Sequence, residues 1–175
     1  RVETAGGVWP MYGREMKDHN WRRGGYGLLT LPQTLMVSSN IGVSRIIDDH
    51  YRNNPEKFVK GIYRTGLADN LHIPLVGATP ARIRMPKKND RGQWLNWSST
   101  ALPWMSIGYE TQIPPISTLT FYNAIANGGK MMRPRFVKQV VKNGEVLMDF
   151  PPQVLRERIC KEKTLKEIQR ILDRV

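Results

Sequence analysis

The sequence predicts an α+β fold, helices combined with a β-hairpin, in one domain over residues 1–175. Three observations carry this. Apolar residues recur at helical spacing through residues 31–66, interrupted by capping residues. A second helical pattern follows Pro114-Pro115 and stops at Asn127-Gly128-Gly129. Between residues 135 and 150, β-branched and aromatic residues flank Lys142-Asn143-Gly144-Glu145. An Asn-Gly pair tolerates the positive φ values of a tight hairpin turn, which makes it the strongest local signal in the chain.

Residues 1–29 are rich in glycine and aromatics and predict turns and short extended pieces, with a turn at Asp18-His19-Asn20-Trp21. Thr30 is the expected N-cap of a first short helix, with Pro32 in its first turn and Leu31, Leu35 and Met36 at helical spacing. That helix should end around Val37-Ser38-Ser39, and Asn40 should cap the next, whose apolar residues are Ile41, Ile46, Ile47 and Tyr51. Asn54-Pro55-Glu56 starts a third helix with Phe58, Val59, Ile62 and Tyr63 on its apolar face and Gly66 as its C-terminal cap.

Residues 67–105 carry Pro at a density that predicts ordered loop, held down by Trp94, Trp97 and Trp104. A helix over 116–126 offers Leu119, Tyr122, Ile125 and Ala126 for packing. Strands over 135–141 and 146–150 form the hairpin, and Pro151-Pro152 ends it. Thr164-Leu165-Lys166-Glu167 reads as a capping box opening a last helix, with Leu165, Ile168, Leu172 and Val175 on one face. Arg1 in place of Met, and a helical pattern that runs to Val175, lead us to expect a piece of a longer chain.

The net charge is +12, with 27 Lys and Arg against 15 Asp and Glu. The basic residues are scattered, and no run reaches five or six like charges. A basic nucleic-acid-binding module is one class this charge allows. It would show steeply salt-dependent binding, but no nucleic-acid motif accompanies the charge. A single cysteine, Cys160, excludes an intrachain disulfide, and the three histidines have no cysteine cluster to join them, so no cofactor or metal is expected. Asp48-Asp49-His50 reads as solvated charge, since adjacent helix positions point apart.

The candidate chemistry lies in Ser38-Ser39-Asn40. Alone, a Ser-x-Asn is common, and Ser38 can simply end one helix while Asn40 starts the next. A hydroxyl two residues from an amide at a tight helix junction can also face one cleft. The hydroxyl relays a proton and the amide offers a donor and an acceptor to a peptide. Neither is a strong nucleophile or base alone, so the pair needs partners.

Downstream come Trp104-Met105-Ser106-Ile107-Gly108-Tyr109, then Pro114-Pro115-Ile116-Ser117, then Ala124-Ile125-Ala126-Asn127-Gly128-Gly129 leading to Pro134. With Ser38-Ser39-Asn40 and the apolar helix after it, this collinear order resembles the transpeptidase domain of class B penicillin-binding proteins, most closely the division-type enzymes. The resemblance covers most of residues 6–175. It implies a mixed fold of helices around an antiparallel sheet, shared with serine β-lactamases, of which this chain would be the helical part and a hairpin.

It further implies a peptidoglycan D,D-transpeptidase that crosslinks stem peptides through an acyl-serine and is acylated by penicillins. Ser38 and Asn40 would be catalytic, with Ser39, Gly108 and Tyr109 in substrate binding. The sequence has no Ser-x-x-Lys and no Lys-Thr-Gly or Lys-Ser-Gly, so the family's nucleophile has no counterpart here and the 175 residues alone should be inactive. Arg64-Thr65-Gly66 mimics the third motif, but it falls at a helix end and too soon after Ser-x-Asn. The resemblance implies stem peptides, β-lactams and cell-wall or division proteins as partners, no nucleic acid, and a periplasmic domain of an inner-membrane-anchored parent. A non-catalytic homologue or β-lactam sensor of the same fold would share these residues and differ in its flanking segments.

Overall fold

The computed structural model describes residues 1–175. The chain forms two compact units: one of Arg1–Gly61, Ile83–Thr111 and Arg170–Val175, the other of Ile62–Arg82 and Gln112–Gln169. No helix is long and apolar enough to cross a membrane.

In the first unit, β1 (Val2–Glu3) pairs antiparallel with β4 (Leu28–Leu29), and β2 (Val8–Met11) pairs with β3 (Arg14–Lys17) in a hairpin. The expected turn after Asp18 is a 3₁₀ segment, Trp21–Arg23. Glycines let this region close on itself. A Cβ on Gly25, whose φ is +69°, would lie 2.1 Å from the Gly7 nitrogen, so no other residue fits there.

Helix α1 (Leu31–Met36) starts from Thr30 as expected, in a full capping box with Gln33. Its C-terminus is a left-handed reversal. Ser38 takes φ 51°. Its N–H donates to the Leu35 carbonyl at 3.1 Å, and the Ser39 N–H donates to the Thr34 carbonyl at 3.0 Å. These are the paired bonds of a Schellman ending, with Ser38 in the position usually given to glycine.

Helix α2 (Asn40–Tyr51) begins two residues later, capped by Ser39 and not by Asn40 as the sequence suggested. The Ser39 hydroxyl accepts the Gly42 N–H at 2.9 Å and donates to Asp18 Oδ2 at 2.8 Å. The Ile41 N–H donates to Asp18 Oδ1 at 3.0 Å. Asp18 is 1% exposed, so these bonds compensate the loss of its hydration. Asp18 follows β3 directly, which makes the hairpin the anchor of the α2 N-terminus.

Apolar packing reinforces that anchor. Ile41, Met11 and Met16 form a buried cluster against which Trp9, Trp104 and Ile107 pack. Helices α1 and α2 approach closely at Gly42. An added Cβ there would meet Thr34 Cγ2 at 2.5 Å and Thr34 Oγ1 at 2.9 Å. Asp48, read as solvated charge, is buried instead and accepts the Tyr12 hydroxyl at 2.8 Å. Burial, then the hydrogen bond to Asp48, raises the Tyr12 pKa.

Helix α3 (Pro55–Arg64) runs as expected, with Val59 fully buried but Tyr63 exposed. It ends at Gly66 with φ 82°, so Arg64-Thr65-Gly66 is a helix terminus. Most of residues 67–100 is irregular. It holds β5 (Arg82–Ile83) and a bridge between Lys88 and Trp94. Trp94 was expected to pin the loop by burial; it is 36% exposed, with the Lys88 ammonium 4.3 Å from its ring centroid. Helix α4 (Ala101–Met105) was expected as loop because of Pro103. Proline in a first turn removes an N–H that has no intrahelical partner anyway, so a helix this short tolerates it.

In the second unit, β6 (Thr111–Gln112) leads into α5 (Pro115–Ala126). The buried face of α5 is Ser117, Thr120, Ala124 and Ile125; Leu119, Tyr122 and Ala126, expected to pack, are exposed. Strand β7 (Met131–Met132) pairs with β10 (Val154–Arg156), and β8 (Gln139–Lys142) with β9 (Glu145–Asp149). Asn143 and Gly144 both take positive φ in the hairpin turn. Arg156 donates from Nη2 to Asp69 Oδ1 at 2.8 Å and from Nη1 to the Arg64 carbonyl at 3.2 Å. Helix α6 (Glu162–Leu172) starts two residues before the expected Thr164 cap; Leu165 and Ile171 are its buried residues, and Val175 is exposed.

Two outcomes follow for stability, each measured by urea unfolding. Asp18→Ala leaves the Ser39 hydroxyl and the Ile41 N–H without their acceptor and should cost about 2–4 kcal/mol. A Gly→Ala change in a helix interior ordinarily gains about 1 kcal/mol. Gly42→Ala should instead lose about 1–3 kcal/mol, because Thr34 must move.

Candidate active site

The three residues of Ser38-Ser39-Asn40 do three different things. Ser38 is exposed and carries the left-handed turn that ends α1. Ser39 is fully buried, and its hydroxyl is engaged both as acceptor and as donor. It was expected to bind substrate; its hydroxyl proton is given to Asp18 and it accepts the Gly42 N–H, so that hydroxyl is engaged in the helix junction. Asn40 is half-buried in the first turn of α2, and its Nδ2 donates to the Lys17 carbonyl at 2.9 Å. That bond fixes the plane of the amide. It leaves the carbonyl oxygen and the second N–H as the groups the amide can offer.

Ser38 pays a conformational cost. A side chain in the left-handed region costs on the order of 1 kcal/mol, and glycine would not incur it. The position therefore keeps a hydroxyl at some expense in stability. The residues that follow it are held in place: Ser39 by Asp18, Asn40 by Lys17, Ile41 by the apolar cluster. The arrangement presents one hydroxyl and one oriented amide at a fixed helix junction, which suits proton relay and the grip of a peptide group.

The Gly108 and Tyr109 expected to join them lie in the turn after α4. The Tyr109 N–H donates to the Trp104 carbonyl at 3.0 Å, and the Gly108 N–H to the Met105 carbonyl at 3.0 Å. Gly108 takes φ 100° with open space where a Cβ would sit, and Tyr109 is exposed. Trp104 and Ile107 pack on the same apolar cluster as Ile41. One core therefore supports both the Ser-x-Asn junction and the Gly108-Tyr109 turn. Sequence reasoning missed Asp18. No local signal marks it, since its partners lie more than twenty residues away. No group of three or more His, Cys, Asp or Glu residues is placed to hold a metal ion.

Comparison with known proteins agrees in fold and in sequence. Proteins of Neisseria meningitidis and Neisseria gonorrhoeae named as probable peptidoglycan D,D-transpeptidase PenA are 24% identical over 147 residues, which is 84% of this chain and 22% of theirs. The transpeptidase domain of Burkholderia pseudomallei penicillin-binding protein 3 superposes with a TM-score of 0.71 at 25% identity, covering 99% of this chain and 45% of that one. A peptidoglycan glycosyltransferase from Burkholderia ambifaria gives a TM-score of 0.70 at 25% identity, covering 99% and 48%. The chain thus spans 22% of the length of these curated relatives and less than half of either solved chain. Nothing in these matches supports the nucleic-acid reading. The model of the penicillin-binding protein transpeptidase domain matches residues 2–175, and on that match the chain belongs to this family.

Proposed function

We propose that this chain forms part of a peptidoglycan D,D-transpeptidase, in which Ser38 and Asn40 act on a stem peptide or a β-lactam bound beside them. In this reading a serine outside the 175 residues attacks the carbonyl of the peptide's penultimate D-alanine. The acyl–oxygen bond forms as the bond to the terminal D-alanine breaks, and an acceptor amine later takes the acyl group. Ser38 passes a proton toward the leaving amine. Asn40, its amide plane set by Lys17, binds the substrate amide, and Gly108 and Tyr109 line the substrate's path. The parent is membrane-anchored with this domain in the periplasm, and it works with other cell-wall or division proteins.

The observation that carries the reading is Ser38 itself. It holds a left-handed backbone at a Schellman ending, where glycine would be relaxed, and keeps an exposed hydroxyl there beside an oriented amide. A position that forgoes stability in favour of a reactive group is the pattern expected of a functional site. The family match across residues 2–175 supplies the chemistry that would use it.

The test is labelling by a fluorescent penicillin, applied to this chain and to a protein extended at both ends to the length of its relatives. The extended protein should label and the 175-residue chain should not. A well-folded extended protein that fails to label would overturn the assignment and favour a non-catalytic homologue. In the extended protein, Ser38→Gly should raise unfolding stability by about 1 kcal/mol, by relieving the left-handed strain. The same variant should label at least about 100-fold more slowly, the lower end of what a positioned acid–base group contributes. Unchanged labelling in Ser38→Gly would remove Ser38 from the chemistry.

A further inference from the structure

The turn that carries Gly108 and Tyr109 ends on Glu110, whose φ of 61° puts a second side chain of this chain's candidate site in the left-handed region. Glycine would occupy that conformation freely. Glutamate needs a reason to be there, and its carboxylate has one partner in particular. It is ion-paired with the guanidinium of Arg84. The same guanidinium lies 5.7 Å from the ring centroid of Trp97.

Arg84 and Trp97 bracket a segment that is irregular in class but ordered in its bonding. The Leu95 N–H donates to the Lys87 carbonyl at 2.9 Å, and the Asn89 N–H to the Gln93 carbonyl at 2.9 Å. Asn96 closes the base, donating from Nδ2 to the Met85 carbonyl at 3.0 Å and accepting the Lys87 N–H at 2.8 Å. The strands β5 and β6, directly before Arg84 and directly after Glu110, pair with each other, and the Arg84–Glu110 contact adds a side-chain link between this ordered loop and the Gly108-Tyr109 turn. The two charged side chains are 39% and 37% exposed, and an ion pair so placed adds little to stability. Its effect is local: it tethers the Glu110 side chain to Arg84, whose guanidinium also lies against Trp97.

We propose that Arg84 and Glu110 are positioning residues: the pair holds Glu110 in its left-handed conformation, sets the Gly108-Tyr109 turn, and through Trp97 locks that turn to the loop of residues 85–96. This deepens the reading of Gly108 and Tyr109 as substrate-binding and rests on it. Preorganising the turn lowers the ordering cost of substrate capture. The clamp therefore acts on affinity and not on the bond-making step.

The experiment uses the extended protein and follows acylation by a penicillin as a function of its concentration, which separates the reversible binding constant from the limiting acylation rate. Glu110→Gln and Arg84→Gln should each weaken reversible binding by about 5- to 10-fold, toward the low end of what coupled neighbours show, and leave the limiting rate within about 2-fold. The charge-swapped double variant, Arg84→Glu with Glu110→Arg, should recover most of the loss. Glu110→Gly separates positioning from a structural role. It relieves the left-handed strain, so the thermal midpoint should not fall, while binding weakens as in Glu110→Gln. Native affinity in Glu110→Gly or Glu110→Gln, in a protein that otherwise labels normally, would overturn the clamp. A native protein that does not label at all would overturn the transpeptidase reading, and the clamp with it.

Discussion

The buried carboxylate of Asp18 is the constraint on which the candidate site depends. Removing a carboxylate from water is costly unless its oxygens find donors. Here one oxygen receives the Ser39 hydroxyl and the other the Ile41 N–H. Both donors sit at the start of α2, where the helix dipole places partial positive charge and leaves N–H groups without intrahelical partners. The match works in both directions: the carboxylate completes the helix, and the helix start supplies donors to both buried carboxylate oxygens. Because Asp18 follows β3 directly, the bond transfers the rigidity of the β2–β3 hairpin to the helix. The preceding residue, Lys17, lends its carbonyl to Asn40, and Met16 before that lies in the core with Ile41.

This geometry explains the spacing of Ser38-Ser39-Asn40 without reference to chemistry. A helix that ends in a left-handed residue and is followed at once by another helix needs one residue for the reversal and one for the cap. Ser38 takes the first place and Ser39 the second, so Asn40 falls on the first turn of α2. The middle hydroxyl is consumed by structure, while the Ser38 side chain stays exposed and Asn40 keeps part of its amide beyond the bond to Lys17. That division also accounts for Gly42. With the reversal so short, α1 and α2 are forced together, and the third residue of α2 has no room for a Cβ beside Thr34.

What the sequence revealed and concealed follows the range of the interactions involved. The capping of α1 by Thr30, the start of α3 at Asn54-Pro55 and the Asn143-Gly144 turn are each decided by neighbours within four residues, and each was legible. The exchange of caps between Asn40 and Ser39 was not, because both residue types cap helices well. What decides for Ser39 is Asp18, distant in sequence. Helix α4 was hidden by Pro103, which disfavours helix in general but not in a first turn. On α5 the apolar residues Leu119 and Tyr122 drew attention away from the buried Ser117 and Thr120. Thr120 returns its hydroxyl to the Ile116 carbonyl at 2.7 Å, so a polar side chain enters the core without an unmet donor. Hydrophobic periodicity cannot anticipate that.

The second unit solves its own anchoring problem with the opposite charge at the opposite end of a helix. Arg156 on β10 reaches the Arg64 carbonyl at the C-terminus of α3, where the helix dipole favours a cation, and it also grips Asp69. Gly66 carries no side chain, and a Cβ there would meet Arg156 Nε at 2.8 Å. In each unit, then, a charged group from a strand or its end completes a helix terminus of the complementary sign. In the second, Gly66, a residue without a side chain, makes the approach possible. For a chain of net charge +12 this placement matters. Asp18 is placed where the backbone itself supplies the counter-charge, and Arg156 where the Arg64 carbonyl adds to the Asp69 carboxylate. For Asp18, which is 1% exposed, that contribution is weakly screened by salt; the partly exposed Arg156 owes more to its ion pair with Asp69.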